Sequence, residues 1–207
     1  MIIVHHLEHS RSQRVLWFLE ELGVDYEIRL YHRNPETNFA PPELKQVHPL
    51  GKSPVVEDGG EVIIESGAIL EYLSMKYGGG RFTPDADSPD HTAYLQWMHY
   101  AEGSAMLPFL LRLYASRLGE AAGPLMPRID SETDNHLSYI ESALEGRDWF
   151  LGADISAADF QMSFVGEIAK VQAMLENRPN IRGWVERFQA RDGYRRALKK
   201  GGPYRFA

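Results

Sequence analysis

Short apolar runs alternate with helix-spaced apolar positions through the first 78 residues. Strand patterns occupy Ile2–Val4, Tyr26–Leu30, Val55–Val56 and Val62–Ile64, and helical spacing occupies Ser12–Leu22 and Ser66–Tyr77. A short helix opens at Pro41–Leu44, where proline suits a first turn. Asp58-Gly59-Gly60 is a hairpin signal between the last two strands. The order βαβαββα predicts an α/β domain over residues 1–78, with helices beside a small mixed sheet.

The composition changes after residue 78. Gly78-Gly79-Gly80 and the stretch from Pro84 to Pro89 are rich in turn formers and predict a linker over residues 79–88. Beyond it no strand pattern is convincing, and helical spacing predicts helices at about 89–117, 128–146, 157–174 and 179–190. Pro108 is expected to kink or divide the first of these helices. The second domain, residues 89–207, is therefore predicted to be an all-α helical bundle.

Ser156 and Asp159 lie just before the apolar face of the third predicted helix. Their spacing is that of a capping box, in which the serine caps forward and the carboxylate reaches back to the serine amide. Asp159 is therefore expected to stabilise the fold rather than to catalyse. Its removal is expected to cost on the order of 1 kcal/mol or more.

Composition and charge narrow the classes of function. The 207 residues are 43% hydrophobic and 25% charged, as is ordinary for a globular protein. The net charge of −7, from 29 acids against 22 bases, argues against nucleic acid as a partner. The absence of cysteine excludes disulfides, thiolate metal sites and cysteine nucleophiles. Without a signal-like start or a membrane-length apolar run, a cytoplasmic protein with no membrane partner is expected.

Three of the eight histidines, His5, His6 and His9, lie close together near the N-terminus. Strand alternation sends His5 and His6 to opposite faces of the sheet. No second group of ligands has the i, i+4 spacing of a helical metal site. The sequence therefore predicts no metal site.

Ser10 lies between the first strand and the first helix, near the amino end of that helix. One interpretation is structural: Ser10 or Ser12 is simply the N-cap. The other is functional, because a hydroxyl beside a helix N-terminus can donate a hydrogen bond to a bound thiolate. A nucleophilic serine is not expected, since no His/Asp pair is evidently placed to activate it.

A proline and a Glu-Ser pair lie a short hairpin apart. Pro54 has no N–H, so the strand that it opens leaves the backbone of Ser53 to pair with another partner. A cis Ser53–Pro54 bond would turn that backbone outward. Glu65 and Ser66 offer a carboxylate, a hydroxyl and a helix N-terminus, the groups that an amino-acid head group needs. The plainer alternative is that Pro54 only starts a strand and Ser66 only caps a helix.

Taken in order, these motifs resemble a cytosolic glutathione transferase, and the resemblance covers nearly the whole chain. The segments 9–16, 48–54 and 65–73 resemble the family's Ser-x-x-x-Arg-Val opening, its Asn-Pro-x-Gly-Lys-Val-Pro loop and its Glu-Ser-x-Ala-Ile-x-x-Tyr-Leu helix. The capping box lies where the family places one. The opening is most similar to the serine-type branches, in particular a bacterial and fungal subgroup that begins with His-Ser-Arg.

The resemblance implies a thioredoxin-like N-terminal domain, a helical C-terminal domain and a homodimer. It implies glutathione as cosubstrate and small hydrophobic electrophiles as second substrates. Ser10 would be the catalytic residue that contacts the sulfur. The remaining glutathione contacts would come from Ser53 before Pro54 for the cysteinyl part, Lys52 for the glycine carboxylate, and Glu65 and Ser66 for the γ-glutamyl head.

Some positions depart from the family pattern. Ser53 replaces the usual Val or Ile, although that contact is made through the backbone. His48 replaces the usual Asn, and Phe39 stands about where some serine-type members place a glycine-binding His. The missing cysteines argue against the thiol-exchange branches of the family.

The electrophile pocket is expected on the second domain, from Tyr100, Ser104 and Met106 of helix 89–117. The same helical spacing would suit core packing equally well. Conjugation of glutathione to electrophiles is the first functional hypothesis, with reduction of organic peroxides as a related activity. A non-catalytic scaffold of the same fold and a glutathione-dependent isomerase or dehalogenase remain alternatives.

Overall fold

The computed structural model describes residues 1–207, which fall into two compact units. One unit comprises residues 1–91 together with residues 187–207, and the other comprises residues 92–186. None of the helices combines the length and the apolar character that a membrane crossing needs.

The first unit contains a four-stranded mixed sheet. Its strands are β1 (Ile2–Leu7), β2 (Tyr26–Tyr31), β3 (Val55–Asp58) and β4 (Glu61–Ile63). Their order is β2-β1-β3-β4, with β1 parallel to β2 and the other pairs antiparallel. This confirms the predicted small mixed sheet. β1 runs three residues beyond the predicted Val4, because its polar residues His5 and His6 are buried and hydrogen-bonded instead of ending the strand.

The helices of the first unit are α1 (Ser12–Leu22), α2 (Leu44–Val47), α3 (Ser66–Tyr77) and α9 (Asp192–Gly201). α1 and α3 begin and end at the predicted residues, and with α2 they complete the predicted order βαβαββα. α9 was not predicted as a separate helix. Its packing against α1 buries α1 on nearly every side.

Aromatic rings and ion pairs join α1 to the C-terminal segment. The Trp17 ring stacks on Phe188 at 5.3 Å between centroids and meets the Tyr194 ring edge-on at 5.6 Å. Two carboxylates of α1 then pair with cations near or on α9. Glu21 accepts from Arg191 at 2.7 and 2.9 Å, and Glu20 accepts from Arg196 at 2.9 Å and from Lys200. Arg196 and Lys200, two of the basic residues near the C-terminus, are therefore engaged in ion pairs.

Asp58, at the end of β3, attaches the sheet to α3. It is 3% exposed and its Oδ2 accepts from Tyr72 at 2.9 Å, Lys76 at 2.7 Å and Tyr77 at 2.6 Å. Burial alone would raise the pKa of Asp58, but these three hydrogen bonds lower that pKa to about 2. The carboxylate is thus held ionised, and it fixes the carboxyl half of α3 against the sheet.

The second unit is helical, as predicted. Its helices are α4 (His91–Tyr100), α5 (Met106–Ala115), α6 (Met126–Ala143), α7 (Ala157–Val171) and the start of α8 (Pro179–Gln189). A π-helical turn, Ala101–Ala105, separates α4 from α5, and a 3₁₀ segment, Ser116–Ala122, follows α5. Pro108 is the third residue of α5, so the predicted division occurs in the turn before it, where proline cannot supply an N–H to the preceding carbonyls.

Asp159 lies at the centre of the helical unit and is fully buried. It forms the predicted capping box with Ser156, whose amide donates to Oδ2 at 2.9 Å. Its Oδ1 also accepts from the Phe150 amide and the Trp184 indole, each at 3.0 Å. The carboxylate therefore ties the loop before α7 and the middle of α8 to the amino end of α7, well beyond the capping role expected.

The first prediction concerns Asp159→Ala. The substitution leaves buried donors without an acceptor, so the free energy of unfolding should fall by about 3 kcal/mol or more. Urea and thermal denaturation followed by circular dichroism measure this. Asp154→Ala is the control, because Asp154 is exposed in the same loop. A loss no larger for Asp159 than for Asp154 would contradict the role.

The second prediction concerns Asp58 and acid stability. The pKa of Asp58 is lower in the folded chain than its ordinary 3.8, so its stabilisation is complete above about pH 4 and is lost as the pH falls toward 2. In Asp58→Asn the fall of Tm between pH 4 and pH 2 should be shallower than in the wild type. Asp87→Asn, an exposed linker change, should keep the wild-type slope. Equal slopes for all three proteins would contradict the prediction.

Candidate functional site

Ser10 lies on the loop between β1 and α1. Its side chain is 6% exposed, and its Oγ accepts the Ser12 amide at 3.2 Å. The capping alternative is thus correct in part, since Ser10 satisfies one amide at the amino end of α1. The hydroxyl still has its own proton to donate, and it stands at the positive end of the α1 dipole. The preceding residue, His9, has a φ of 52°.

Two further polar side chains are buried behind Ser10. The Ser12 Oγ lies 2.8 Å from the Ser10 Oγ and 2.7 Å from His6 Nδ1. Burial lowers the pKa of His6 to about 4, so the ring is neutral near pH 7. The ring's other partner is the backbone carbonyl of Gly201, not a carboxylate. Ser12 is fully buried and cannot reach a substrate, and the expectation that no serine here is a nucleophile stays a prediction.

Ser53 lies beside the end of β1, and its peptide bond to Pro54 is cis. The Ser53 hydroxyl donates to the His5 carbonyl at 2.8 Å and accepts the Leu7 amide at 3.1 Å. Continuing the β1–β3 register beyond His5↔Val55 would place residue 53 opposite Leu7. The side chain of Ser53 therefore takes the place of its own main chain in the ladder. Its amide and carbonyl make no hydrogen bond within the chain and remain available to a ligand.

The amino end of α3 is open. No side chain caps this end, and Ser66 is buried whereas Glu65 is exposed. Glu65 has φ 65° and ψ 115°, a conformation that costs on the order of 1–3 kcal/mol for a residue other than glycine. Neither the Glu65 carboxylate nor the Lys52 ammonium has a hydrogen bond or ion pair within the chain. Charged groups of both signs are thus free to meet a ligand.

Sequence reasoning missed a role for Arg14. This residue is 2% exposed on α1, and its Nη1 donates to the Ser66 Oγ at 3.1 Å. The guanidinium orients the Ser66 hydroxyl and places a buried positive charge beneath the amino end of α3. The sequence does contain a signal for this role, because the charged Arg14 directly precedes the wholly apolar run Val15–Leu19, in a helix that has little exposed surface.

Hydrogen bonds thus connect the three sequence motifs within the first unit. The Ser53 side chain joins the cis-proline loop to β1, and Arg14 joins α1 to the amino end of α3. Ser10 stands where β1 leads into α1.

Two of the positions that depart from the family pattern are exposed or weakly bonded. Phe39 is 56% exposed, and the His48 ring accepts one hydrogen bond, from the Leu50 amide at 3.4 Å.

The residues suggested for an electrophile pocket lie in the second unit. Tyr100 ends α4, and its hydroxyl forms a hydrogen bond with His136 Nδ1 at 2.6 Å, while burial raises the pKa of the phenol. Ser104 is half-buried in the π-helical turn. Met106 is 1% exposed, so its side chain packs in the helical unit, the role that its spacing also allowed. A pocket formed by these three residues stays a prediction.

Comparison with known sequences identifies the family to which this chain is similar. The family model described as glutathione S-transferase, N-terminal domain, matches residues 1–75, and the corresponding C-terminal domain model matches residues 106–192. Glutathione S-transferase 3 of Schizosaccharomyces pombe is 37% identical over 97% of this chain and 88% of its own length. Glutathione S-transferase 1 of Saccharomyces cerevisiae is 30% identical over 97% and 95%.

Solved structures agree with the sequence comparison. A glutathione S-transferase from Actinobacillus pleuropneumoniae superposes with a TM-score of 0.90 at 34% identity, over the whole of this chain and 95% of that chain. A glutathione transferase family member from Pseudomonas fluorescens, solved with two glutathione bound, superposes with a TM-score of 0.79 at 26% identity, over 95% and 92%. On its sequence, its fold and its relatives, the chain belongs to the glutathione S-transferase family.

Proposed function

We propose that this protein binds glutathione, stabilises its thiolate through Ser10, and conjugates it to small hydrophobic electrophiles. The observation that carries this proposal is the position of the Ser10 hydroxyl, which lies at the amino end of α1 and accepts the Ser12 amide at 3.2 Å. A hydroxyl held there has its proton available for an anion in front of it. The named relatives, all glutathione S-transferases, support the assignment of the chain as an enzyme of this class.

The magnitudes are sufficient without a general base. A free thiol has a pKa of roughly 8.5, and lowering this pKa by two units requires about 2.7 kcal/mol. A hydrogen bond to a charged group supplies about 1.5–3 kcal/mol. The α1 dipole adds roughly 0.3–1 kcal/mol. Ser10 and α1 together can therefore ionise the sulfur, and the neutral His6 contributes no charge.

The rest of glutathione would occupy the groups that the chain leaves unpaired. The Ser53 amide and carbonyl would pair with the cysteinyl part as a strand would. Glu65 would accept the γ-glutamyl ammonium, and Ser66 with the open end of α3 would bind the neighbouring carboxylate. Lys52 would meet the glycine carboxylate. The glutathione-bound structure of the Pseudomonas fluorescens relative supports this choice of ligand.

Conjugation is preferred to the alternatives because the chain retains all of the polar residues proposed to bind glutathione, namely Ser10, Lys52, Glu65 and Ser66. A scaffold of the same fold has no physical need for Lys52 and Glu65 to stay unpaired or for a strained backbone at Glu65. Reduction of organic peroxides is a further activity that the same thiolate would support. Retention on a glutathione-affinity column, followed by assays with a panel of electrophiles and peroxides, separates these possibilities. Failure of the wild type to bind the column would favour the scaffold.

We further propose a homodimer and a cytoplasmic location. α3 exposes Met75 and α5 exposes Leu107 and Tyr114, with 67%, 53% and 56% of each residue accessible. Apolar side chains so exposed on helices are candidates for burial against a second copy. Analytical ultracentrifugation at micromolar concentration tests the proposed dimer, and a purely monomeric species would contradict it.

The third prediction is that Ser10→Ala raises the pKa of the bound thiol and lowers turnover by roughly 10-fold or more, because one donor to the anion is lost. Thiolate absorbance in the ultraviolet gives the pKa, and steady-state kinetics with a chromogenic electrophile gives kcat. Glutathione affinity should change little, as the other contacts remain. Activity equal to the wild type would remove Ser10 from the mechanism.

The fourth prediction concerns the γ-glutamyl end. Glu65→Gln removes the charge that would face the ammonium group, so the Kd for glutathione should rise about 10-fold, with little change in Tm. Isothermal titration calorimetry measures the affinity. Glu61→Gln is the matched control, since Glu61 is an exposed carboxylate on the neighbouring strand β4. Equal affinities for the two variants would exclude the assigned contact.

A further inference from the structure

A buried chain of three side chains runs inward from Ser10, and the proposed chemistry uses only its outer member. The Ser10 Oγ, the Ser12 Oγ and His6 Nδ1 follow one another at 2.8 and 2.7 Å. Ser12 and His6 are 0% and 1% exposed, so neither can touch a substrate. Each hydroxyl has a single proton and can donate in one direction at a time. The direction of the chain therefore decides where the Ser10 proton points.

Gly201, the last residue of α9, sets this direction from the inner end. Its carbonyl accepts a hydrogen bond from the His6 ring, and a side chain built at Gly201 would place its Cβ 3.2 Å from Nε2. Nε2 is therefore the nitrogen that faces Gly201 and carries the proton. The ring is neutral, so Nδ1 is left as an acceptor. The Ser12 hydroxyl also lies 3.2 Å from the Leu7 carbonyl, but the shorter contact of 2.7 Å to the unprotonated Nδ1 favours donation to His6.

The surroundings of His6 favour this neutral ring. Gly201 of α9 faces the ring with an uncharged backbone, and a Cβ built at Gly201 would also lie 3.1 Å from the uncharged Gln13 Oε1. Two titratable groups act on the ring in opposite directions, since Glu8 raises the pKa of His6 and His9 lowers it. Burial is the largest influence and lowers the pKa. No packed element therefore presents a charge that would hold the ring protonated near pH 7.

We propose that His6 is a positioning residue that, through Ser12, keeps the Ser10 hydroxyl turned inward until an ionised sulfur competes for its proton. The inference rests on the proposed role of Ser10. Because the Ser12 hydroxyl donates its hydrogen bond to His6, the Ser12 oxygen accepts a hydrogen bond from the Ser10 hydroxyl. A thiolate is a charged acceptor, and a hydrogen bond to it is about twice as strong as one between neutral groups, so it draws the Ser10 proton outward. A thiol or thioether sulfur is a weak acceptor and does not.

Ser10 then distinguishes the nucleophile from the product. In conjugation, a sulfur lone pair forms the new S–C bond, and the electron pair of the broken bond leaves with the displaced group. The sulfur becomes an uncharged thioether. The thioether is a weak acceptor, so the Ser10 hydroxyl again donates its hydrogen bond to the Ser12 oxygen. The contact that stabilises the reacting thiolate is thereby withdrawn as the product forms, which favours product release.

The fifth prediction tests the inner acceptor with Ser12→Ala. Removing the Ser12 oxygen abolishes the bond that competes with the thiolate, so the pKa of bound glutathione should fall by about half to one unit below the wild-type value. The measurement is ultraviolet thiolate absorbance against pH, with S-methylglutathione as the blank. A purely structural serine would give an unchanged or a higher pKa, and either result would overturn the proposal.

Ser74→Ala is the matched control for that experiment. Ser74 is also a fully buried serine of the first unit, and its hydroxyl donates to the Arg81 carbonyl at the far end of α3. The pKa of bound glutathione in Ser74→Ala should equal the wild-type value. A fall of the same size in both variants would assign the effect to general loosening and would also overturn the proposal.

A second measurement uses the unmodified protein, so it does not depend on the folding of a variant. The ¹⁵N shifts of the His6 ring should show a proton on Nε2 and none on Nδ1 near pH 7. A proton on Nδ1 would reverse the chain and overturn the proposal. Glutathione that fails to bind, or binds with an unshifted thiol pKa, would instead defeat the proposed function. Normal binding and ionisation with no effect of Ser12→Ala would defeat only the role of His6.

Discussion

Polar groups buried at the end of β1 need hydrogen-bond partners, and the arrangement of the site follows from how they are supplied. β1 continues beside β2 to Leu7, but its pairing with β3 ends at His5. A buried amide or carbonyl without a partner would cost about 1–3 kcal/mol. At this edge the Ser53 hydroxyl accepts the Leu7 amide and donates to the His5 carbonyl. The same requirement on the other face of β1 is met by the contact between His6 and Ser12.

These local solutions leave particular groups unused. Because the Ser53 side chain satisfies β1, the Ser53 main chain is spare. Because no side chain caps α3, its amino end is open, with the buried Arg14 beneath it. Because Ser10 serves α1 only as an acceptor, its proton remains to be directed. A ligand that needs an extended main-chain partner, an anion site and a donor to sulfur would use these groups, and under the proposed function that ligand is glutathione.

The C-terminal helix reaches the proposed site from the far end of the sequence. α9 packs on α1 through Trp17 and through the ion pairs of Glu20 and Glu21. This packing brings the Gly201 carbonyl to the His6 ring, where a Cβ at position 201 would also crowd Leu16 at 2.8 Å. The absence of a side chain at Gly201 therefore allows this close approach to the His6 ring. In the second unit, Asp159 similarly ties a loop and two helices together with one carboxylate.

The sequence by itself determined the features that depend on neighbours along the chain. The bounds of α1 and α3, the order βαβαββα and the capping box at Ser156 all rest on local spacing, turn residues and caps. The positions of Ser10, Ser53 and Glu65 between or before elements followed from the same signals. Only the tertiary structure decided the burial of His6, the contact between Arg14 and Ser66, the side-chain role of Ser53 and the docking of α9 on α1. Those features join residues from 6 to 176 positions apart, and no periodic pattern records which distant group will satisfy a buried donor or acceptor.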